Sequence, residues 1–105
     1  MQDLMAALSS PRRRSMLKLV WEEERSAGEI AKAFDVSWPA ISQNLRVLKD
    51  AGLVRERREG TRRFYRADRS RLGALEPLLI QMWSQDLDRL RELAESEAAR
   101  RRGRS

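Results

Sequence analysis

Arginine is the residue type in this sequence that most directly indicates a chemistry. The 105 residues include 22 Lys and Arg against 16 Asp and Glu, a formal net charge of +6. Eight arginines fall within residues 53–71 against three acids, a local net charge of +5. A planar guanidinium can donate two parallel hydrogen bonds to a phosphate or to the edge of a guanine. This clustering indicates a polyanionic partner, either nucleic acid or an anionic membrane surface, more than a charge that serves solubility.

Other chemistries lack the residues they need. The sequence has no Cys and no His, which excludes the usual zinc sites, thiolate sensors, disulfides, His bases and Cys nucleophiles. It shows no nucleophile–base pair, phosphate loop or carboxylate cluster, so we assign no catalytic residue, metal ligand or cofactor and expect no enzyme. Asp86 and Asp88 are expected on a solvated helix face rather than in a cation site. No apolar run approaches a membrane span, so we expect a cytoplasmic protein without a membrane partner.

Two helices are predicted near the start of the chain. Leu4, Met5 and Leu8 mark a short first helix. Ser10 followed by Pro11 is typical of a helix start, and this second helix is expected to end near Glu24. The arginines at 12–14 either touch a DNA backbone or orient the second helix, and the sequence does not decide between these roles.

A helix–turn–helix is predicted next. Ser26 and Glu29 have the spacing of a capping box, which begins a third helix. Ser37 can cap a fourth helix from Trp38 to Ala51, and Gly52 can supply its left-handed end. Two helices joined by so short a turn form the DNA-reading motif of many regulators.

The fourth helix has one apolar stripe and one polar face. Its core stripe is Ile41, Leu45 and Leu48, which fall within about 60° of one another. The polar face predicts base or phosphate contacts from Gln43 and Arg46, since Gln pairs with adenine and Arg with guanine. Ser37, Ser42 and Lys49 are candidates for phosphate contacts, and Trp38 and Pro39 are further DNA-binding candidates on this helix. Trp38 either contacts a thymine methyl or sugar, or packs on the hairpin that follows.

A β-hairpin is predicted after the fourth helix. Its strands are residues 53–58 and 61–66, and Gly60 in the turn can adopt a positive φ. The arginines near its tip either bind DNA, which we favour, or keep an edge strand from aggregating. These candidates are Arg57, Arg58, Arg62 and Arg63.

A long amphipathic helix is predicted to follow, with Ser70 as a possible cap and Pro77 near its start. Its apolar residues recur at spacings of three and four up to Leu93, more than one small domain can cover, so we expect a homodimer. Trp83 is interpreted as part of this apolar stripe rather than of an effector pocket. The predicted dimer interface is Leu4, Leu8, Leu79, Met82, Trp83, Leu87 and Leu90. The predicted organisation is one domain over residues 1–99 and a disordered basic tail over residues 100–105.

Four runs of sequence, taken in order, resemble the ArsR family of bacterial winged-helix repressors over about residues 3–95. The runs are Pro11–Arg14, Ala27–Ala31, Ser42–Leu48 and Ala51–Val54, followed by the arginine-rich hairpin and Trp83. The resemblance implies a mainly α fold with a small β-hairpin, a winged helix–turn–helix of order α-α-α-α-β-β-α. It also implies a homodimer built from the first and last helices, with the fourth helix in the major groove and the hairpin at the backbone or minor groove.

The resemblance also implies how the chain differs from the family's metal sensors. Their Cys pair would fall at Ser26 and Gly28, so this chain is more similar to the non-metal branch. Asn44 is a further difference, since relatives commonly have His there. The expected function is a dimeric repressor that binds a palindromic operator in double-stranded DNA, with no inducer assigned. The alternative is a winged-helix module that binds protein, although such modules usually expose apolar anchors instead of arginines.

Overall fold

A computed structural model describes residues 4–102, apart from the side chains of residues 86–91 and 101–102. The chain forms two compact units, Met1–Leu72 and Gly73–Ser105. The elements of the first unit are α1 (Leu4–Leu8), α2 (Pro11–Leu19), β1 (Arg25–Ser26), α3 (Ala27–Ala33), α4 (Trp38–Asp50), β2 (Val54–Glu59), β3 (Arg62–Ala67) and a short 3-10 turn (Arg69–Arg71). The second unit contains α5 (Leu75–Arg102). This is the predicted winged helix–turn–helix with one added strand.

Helix α2 begins as predicted but ends early. The Ser10 hydroxyl accepts a hydrogen bond from the Arg13 amide at 3.3 Å, and Pro11 is the first helical residue. The helix ends at Leu19, so the predicted end near Glu24 is wrong. The physical reason lies downstream, since Arg25 and Ser26 pair with β3 as an extended strand. The chain must therefore leave the helix before it reaches them.

Helices α3 and α4 form the predicted helix–turn–helix. Ser26 and Glu29 make the predicted capping box, because the Ser26 hydroxyl accepts from the Glu29 amide and the Glu29 carboxylate accepts from the Ser26 amide, both at 3.1 Å. The second of these bonds lowers the pKa of Glu29. Ser37 caps α4 in the same way, with its hydroxyl accepting from the Ala40 amide at 3.4 Å. The predicted stripe of α4 is confirmed as core: Ile41, Leu45 and Leu48 are all buried.

The sheet has three antiparallel strands in the order β1-β3-β2. Strands β2 and β3 are the predicted hairpin, hereafter the wing, with Glu59 opposite Arg62 next to the turn. Gly60 has a φ of 63°, the left-handed conformation that made glycine the expected turn residue. Strand β1 pairs at two positions only, Arg25 with Tyr65 and Ser26 with Phe64. So short a strand carries no periodic signal, and the sequence did not predict it.

The second unit contains one helix of 28 residues. Pro77 is its third residue, where a missing amide costs no helical hydrogen bond, so the helix begins as predicted near this proline. Ser70 does not cap it: Asp68 caps the preceding 3-10 turn, accepting from the amide and hydroxyl of Ser70. Residues 100–102 of the predicted tail continue the helix, and residues 103–105 lie outside the described part of the chain. The single domain over residues 1–99 stays a prediction.

Candidate nucleic-acid interface

The polar face of α4 is exposed over the predicted contact residues. Ser42, Gln43 and Arg46 point to solvent, and the Arg46 side chain is 83% exposed. It forms an ion pair with Asp50 of the same helix, with 4.0 Å between Nε and Oδ2. Such a pair is weak and is screened by salt, so Arg46 can exchange it for a base edge or a phosphate.

Trp38 lies where α4 begins, and Pro39 follows it in the first turn, also exposed. The Trp38 side chain is 54% exposed, and it lines a cleft of about 450 Å³ between α3, α4 and the wing. Ser42, Arg62 and Arg63 line the same cleft. Both interpretations of Trp38 stay predictions: its side chain is more than half exposed, and it shares the cleft with residues of β3. The cleft brings predicted contacts from α4 and from the wing to one surface.

One face of the wing is joined to α4 through Glu56. Its side chain is 10% exposed, and it accepts hydrogen bonds from the Tyr65 hydroxyl at 3.0 Å and from Arg58 Nε at 3.3 Å. Lys49 Nζ of α4 lies 3.6 Å away. Burial raises the pKa of Glu56, but these hydrogen bonds and the charges of Lys49 and Arg58 outweigh it, so its pKa lies below the ordinary value. Two predicted phosphate contacts, Lys49 and Arg58, therefore share a carboxylate partner within the protein.

The opposite face of the wing holds Arg57. Its guanidinium binds both oxygens of Glu24, with Nε–Oε2 at 3.1 Å and Nη2–Oε1 at 2.6 Å, and Nη1 reaches Glu59 at 2.8 Å. The guanidinium carbon lies 4.5 Å from the centre of the Phe64 ring. The hydrogen bond from Arg57 lowers the pKa of Glu24, and the reciprocal bond raises the pKa of Arg57.

The other two predicted contacts of the wing, Arg62 and Arg63, are exposed near its turn. The guanidinium carbon of Arg62 lies 5.0 Å from the centre of the Phe64 ring, which Arg57 also contacts. Arg63 lies on the face of Tyr65 and lines the cleft beside Trp38. Both arginines have their charge at the end of the hairpin farthest from its junction with the core.

Two of the three arginines at 12–14 have the structural role that the sequence left open, and a DNA contact by Arg12 stays a prediction. Arg13 donates to the carbonyls of Ala6 and Ala7 at 3.0 and 2.8 Å, and to the side-chain oxygen of Asn44 at 3.3 Å. Arg14 donates to the Leu8 carbonyl at 2.7 Å. These two side chains therefore satisfy the end of α1 and fix α2, whereas Arg12 is exposed.

The predicted dimer residues occur in both units. In the first unit, Leu4 and Leu8 are half-buried in α1. In α5, Leu79 is buried, Trp83 is half-buried and Met82 is 42% exposed. The predicted interface residues Leu87 and Leu90 have side chains outside the described part of the chain.

Sequence reasoning missed the two acids that organise the wing. The signal for Glu56 was available, because β2 alternates and Val54 is buried, so residue 56 must face the same side. Glu24 had no such signal. The sequence predicted that α2 would reach Glu24, whereas this residue directly precedes strand β1. Within residues 4–102, the described side chains form no cluster of three or more metal-ligating types, and no described helix is apolar and long enough to cross a membrane.

The chain is similar to proteins that regulate transcription. Residues 10–56 match the sequence model of the family described as bacterial regulatory protein, arsR family. The HTH-type transcriptional regulator Rv2034 of Mycobacterium tuberculosis is 40% identical over 91 residues, which are 87% of this chain and 85% of that protein. The transcriptional repressor SdpR of Bacillus subtilis is 37% identical over 65 residues, 62% of this chain and 72% of the repressor.

A solved structure has the same fold. It is the homodimeric winged helix–turn–helix DNA-binding domain of a possible ArsR-family transcriptional regulator from Mycobacterium bovis. The likeness has a TM-score of 0.64 at 37% identity, and it covers 77% of this chain and 74% of the other.

Proposed function

The chain belongs to the ArsR family of bacterial regulatory proteins, and from this premise we propose that it is a dimeric repressor that binds a palindromic operator. The observation that carries the proposal is the cleft of the first unit, where the exposed face of α4 meets the arginines of the wing. The exposed guanidinium group of Arg46 on a helix that fits the major groove, beside a cationic hairpin, matches the charge and width of duplex DNA.

The proposed contacts have two roles. Gln43 and Arg46 read base edges, because both are exposed on α4. A Gln amide can donate to adenine N7 and accept from N6, and an Arg guanidinium can donate to guanine O6 and N7. The contacts that hold the DNA backbone without reading sequence are Ser37, Ser42, Lys49, Arg58, Arg62 and Arg63. Trp38 and Pro39 lie against the duplex at the start of α4. Lys49 and Arg58 must share their charge between Glu56 and phosphate, so Arg62 and Arg63 contribute more to the backbone grip.

Dimerisation is proposed to occur through α5. Leu78, Met82 and Leu93 are exposed, and at 100° per residue they fall within about 60° of one another on the helix. An exposed apolar stripe of this kind favours a partner helix, and the Mycobacterium bovis relative is homodimeric. Two copies would place two α4 helices about 34 Å apart, one turn of DNA, which predicts half-sites with that spacing.

Met82→Asp tests the dimer, with Ser84→Asp as the matched control on another face of α5. We expect sedimentation at micromolar concentration to find a dimer for the wild type and for Ser84→Asp. Met82→Asp should shift to monomer and lose DNA affinity, since one copy offers one α4. A wild-type protein that sediments as a folded monomer would contradict the dimer.

The DNA function is tested by selecting duplexes from a random library with the purified protein and footprinting the recovered sequence. We expect an imperfect palindrome with half-sites about one helical turn apart. Recovery of no preferred sequence, together with no salt-dependent retention on heparin, would favour the alternative, a winged-helix module that binds protein.

The regulator is proposed to act in the cytoplasm, where bacterial DNA is, and to have no catalytic activity. Its sequence has neither Cys nor His, so a signal that releases it from DNA would use other chemistry than a Cys/His metal site.

A further inference from the structure

The face of the wing opposite Tyr65 carries a cluster that the proposed contacts do not use. Arg57 of β2 and Ser26 of β1 are both paired with Phe64 of the central strand. Because side chains alternate along each strand, Arg57, Phe64 and Arg62 share this face. The ring of Phe64 has both guanidinium groups within 5.0 Å of its centre.

Arg57 reaches across the central strand to the body of the first unit. Glu24, which it binds with two hydrogen bonds of 3.1 and 2.6 Å, directly precedes β1. A bidentate pair fixes the angle of the guanidinium as well as its position. The bond to Glu59 at 2.8 Å differs in kind, because both residues belong to β2 and the bond joins no other element.

The charges around Arg57 argue against a direct phosphate contact. Two carboxylates, Glu24 and Glu59, surround a single guanidinium and occupy its Nε, Nη1 and Nη2 atoms. A phosphate that approached Arg57 would have to displace one of these carboxylates from the guanidinium. Arg62 and Arg63 remain exposed at the tip and present their charge to solvent.

We propose that Arg57 and Glu24 form a clamp that holds the wing at the angle DNA binding requires, so that both are positioning residues and neither contacts DNA. The inference rests on the proposed function, and it moves Arg57 out of the set of DNA contacts predicted from the sequence.

The clamp adds to a small number of attachments between the wing and the rest of the first unit, among them the 3.6 Å approach of Lys49 of α4 to Glu56 of β2 on the opposite face. A two-stranded hairpin is marginally stable by itself. Strand β1 pairs with it at two positions, both on β3, so β2 is the outer strand. The clamp ties this outer strand to the body. A wing held in advance loses less conformational freedom when it binds, which strengthens binding without any new contact to DNA.

The test compares Glu24→Gln, Arg57→Gln and the double variant on the duplex selected from the random library, by fluorescence anisotropy. Removal of a negative charge near DNA should by itself strengthen binding. The clamp predicts the opposite for Glu24→Gln, a loss of about three- to tenfold, the range that coupled neighbours produce. Arg57→Gln should lose as much, and the double variant should lose no more than either single one.

Glu59→Gln is the matched control, because it removes the same charge and an Arg57 hydrogen bond but leaves the clamp. It should bind at least as tightly as the wild type. Tighter or unchanged binding by Glu24→Gln overturns the proposal. A loss in Arg57→Gln that persists undiminished in the Glu24→Gln background also overturns it, since Arg57 would then contact DNA directly.

Amide hydrogen exchange in the DNA-free protein separates this inference from the proposed function. Residues 57–64 should exchange faster in Glu24→Gln than in Glu59→Gln, while the amides of α4 keep their protection and show that the fold is intact. If the wild type bound no duplex, the proposed function would fail, and the exchange rates would still decide whether the clamp holds the wing. Equal exchange in the two variants counts against the clamp.

Discussion

Glu56→Gln is expected to destabilise the first unit by about 0.5–2 kcal/mol at neutral pH. The side chain is 10% exposed and is held by Tyr65, Arg58 and Lys49, which join both strands of the wing to α4. Glutamine keeps an oxygen that can accept from the Tyr65 hydroxyl, so the main loss is the carboxylate charge. The two cations are 49% and 65% exposed, and ion pairs with such partners contribute about 0.2–1 kcal/mol each.

The same carboxylate predicts a pH dependence. Its pKa in the folded protein lies below the ordinary value of 4.5. A group with a lowered folded pKa stabilises the protein above its unfolded pKa, and this stability is lost as the pH falls through the folded value. The difference between wild type and Glu56→Gln should therefore be constant from pH 7 down to about pH 5 and shrink as the pH falls below the ordinary value of 4.5.

Urea denaturation at fixed protein concentration measures this difference, because a dimer's stability depends on concentration. Glu22→Gln is the control, since the Glu22 side chain is 80% exposed and its distance to Arg69 is 4.0 Å. We expect that variant to unfold within about 0.5 kcal/mol of the wild type. The reasoning would be refuted if Glu56→Gln were as stable as the wild type at pH 7. It would also be refuted if the variant had the same deficit in the free energy of unfolding at pH 7 and below pH 4.5.

Three further predictions concern the helices and the chemistry of regulation. Arg13→Met should lower the free energy of unfolding by about 1–2 kcal/mol, because the Ala6 and Ala7 carbonyls and Asn44 lose a shared donor. Arg12→Met, at an exposed site, should be nearly neutral, and equal effects of the two changes would contradict the structural role of Arg13. Ser26→Ala should lower the free energy of unfolding in urea by about 1–2 kcal/mol, because the capping box is lost. Ser15→Ala, at an exposed site within α2, should leave it unchanged. Wild-type stability in Ser26→Ala would show that the cap is dispensable. Zinc should leave the DNA affinity unchanged because the sequence has no Cys or His, and calorimetric binding below micromolar concentration with release of DNA would disprove this.

The parts of the fold with local, repeated signals were predictable from the sequence. The caps at Ser10, Ser26 and Ser37 lie where their hydrogen-bonding side chains indicated. The stripe of α4 and the turn at Gly60 were likewise confirmed. Each of these features depends on a few adjacent residues, so the sequence contains the whole cause.

The errors arose where distant residues decide the structure. Helix α2 stops at Leu19 because the chain must become extended before Arg25 and Ser26 pair with Tyr65 and Phe64 of β3. These partners lie about forty residues later in the sequence, a separation that local patterns do not report. The same kind of contact gives Arg57 its partner, Glu24. Charge density alone placed Arg57, Arg58, Arg62 and Arg63 in one class, and only their partners distinguish Arg57 from Arg62 and Arg63.

The most direct test of the account is a binding titration of Arg46→Ala and Arg62→Ala on the selected duplex and on a scrambled duplex, at several salt concentrations. Arg46→Ala should lose about 1–3 kcal/mol per half-site on the selected duplex and relax the preference at one base position, with little loss on the scrambled one. Arg62→Ala should weaken binding to both duplexes alike and flatten the salt dependence by about one phosphate per wing. Equal losses on both duplexes for Arg46→Ala would move Arg46 to the backbone, and no change in either variant would contradict the docking of α4 and the wing on DNA.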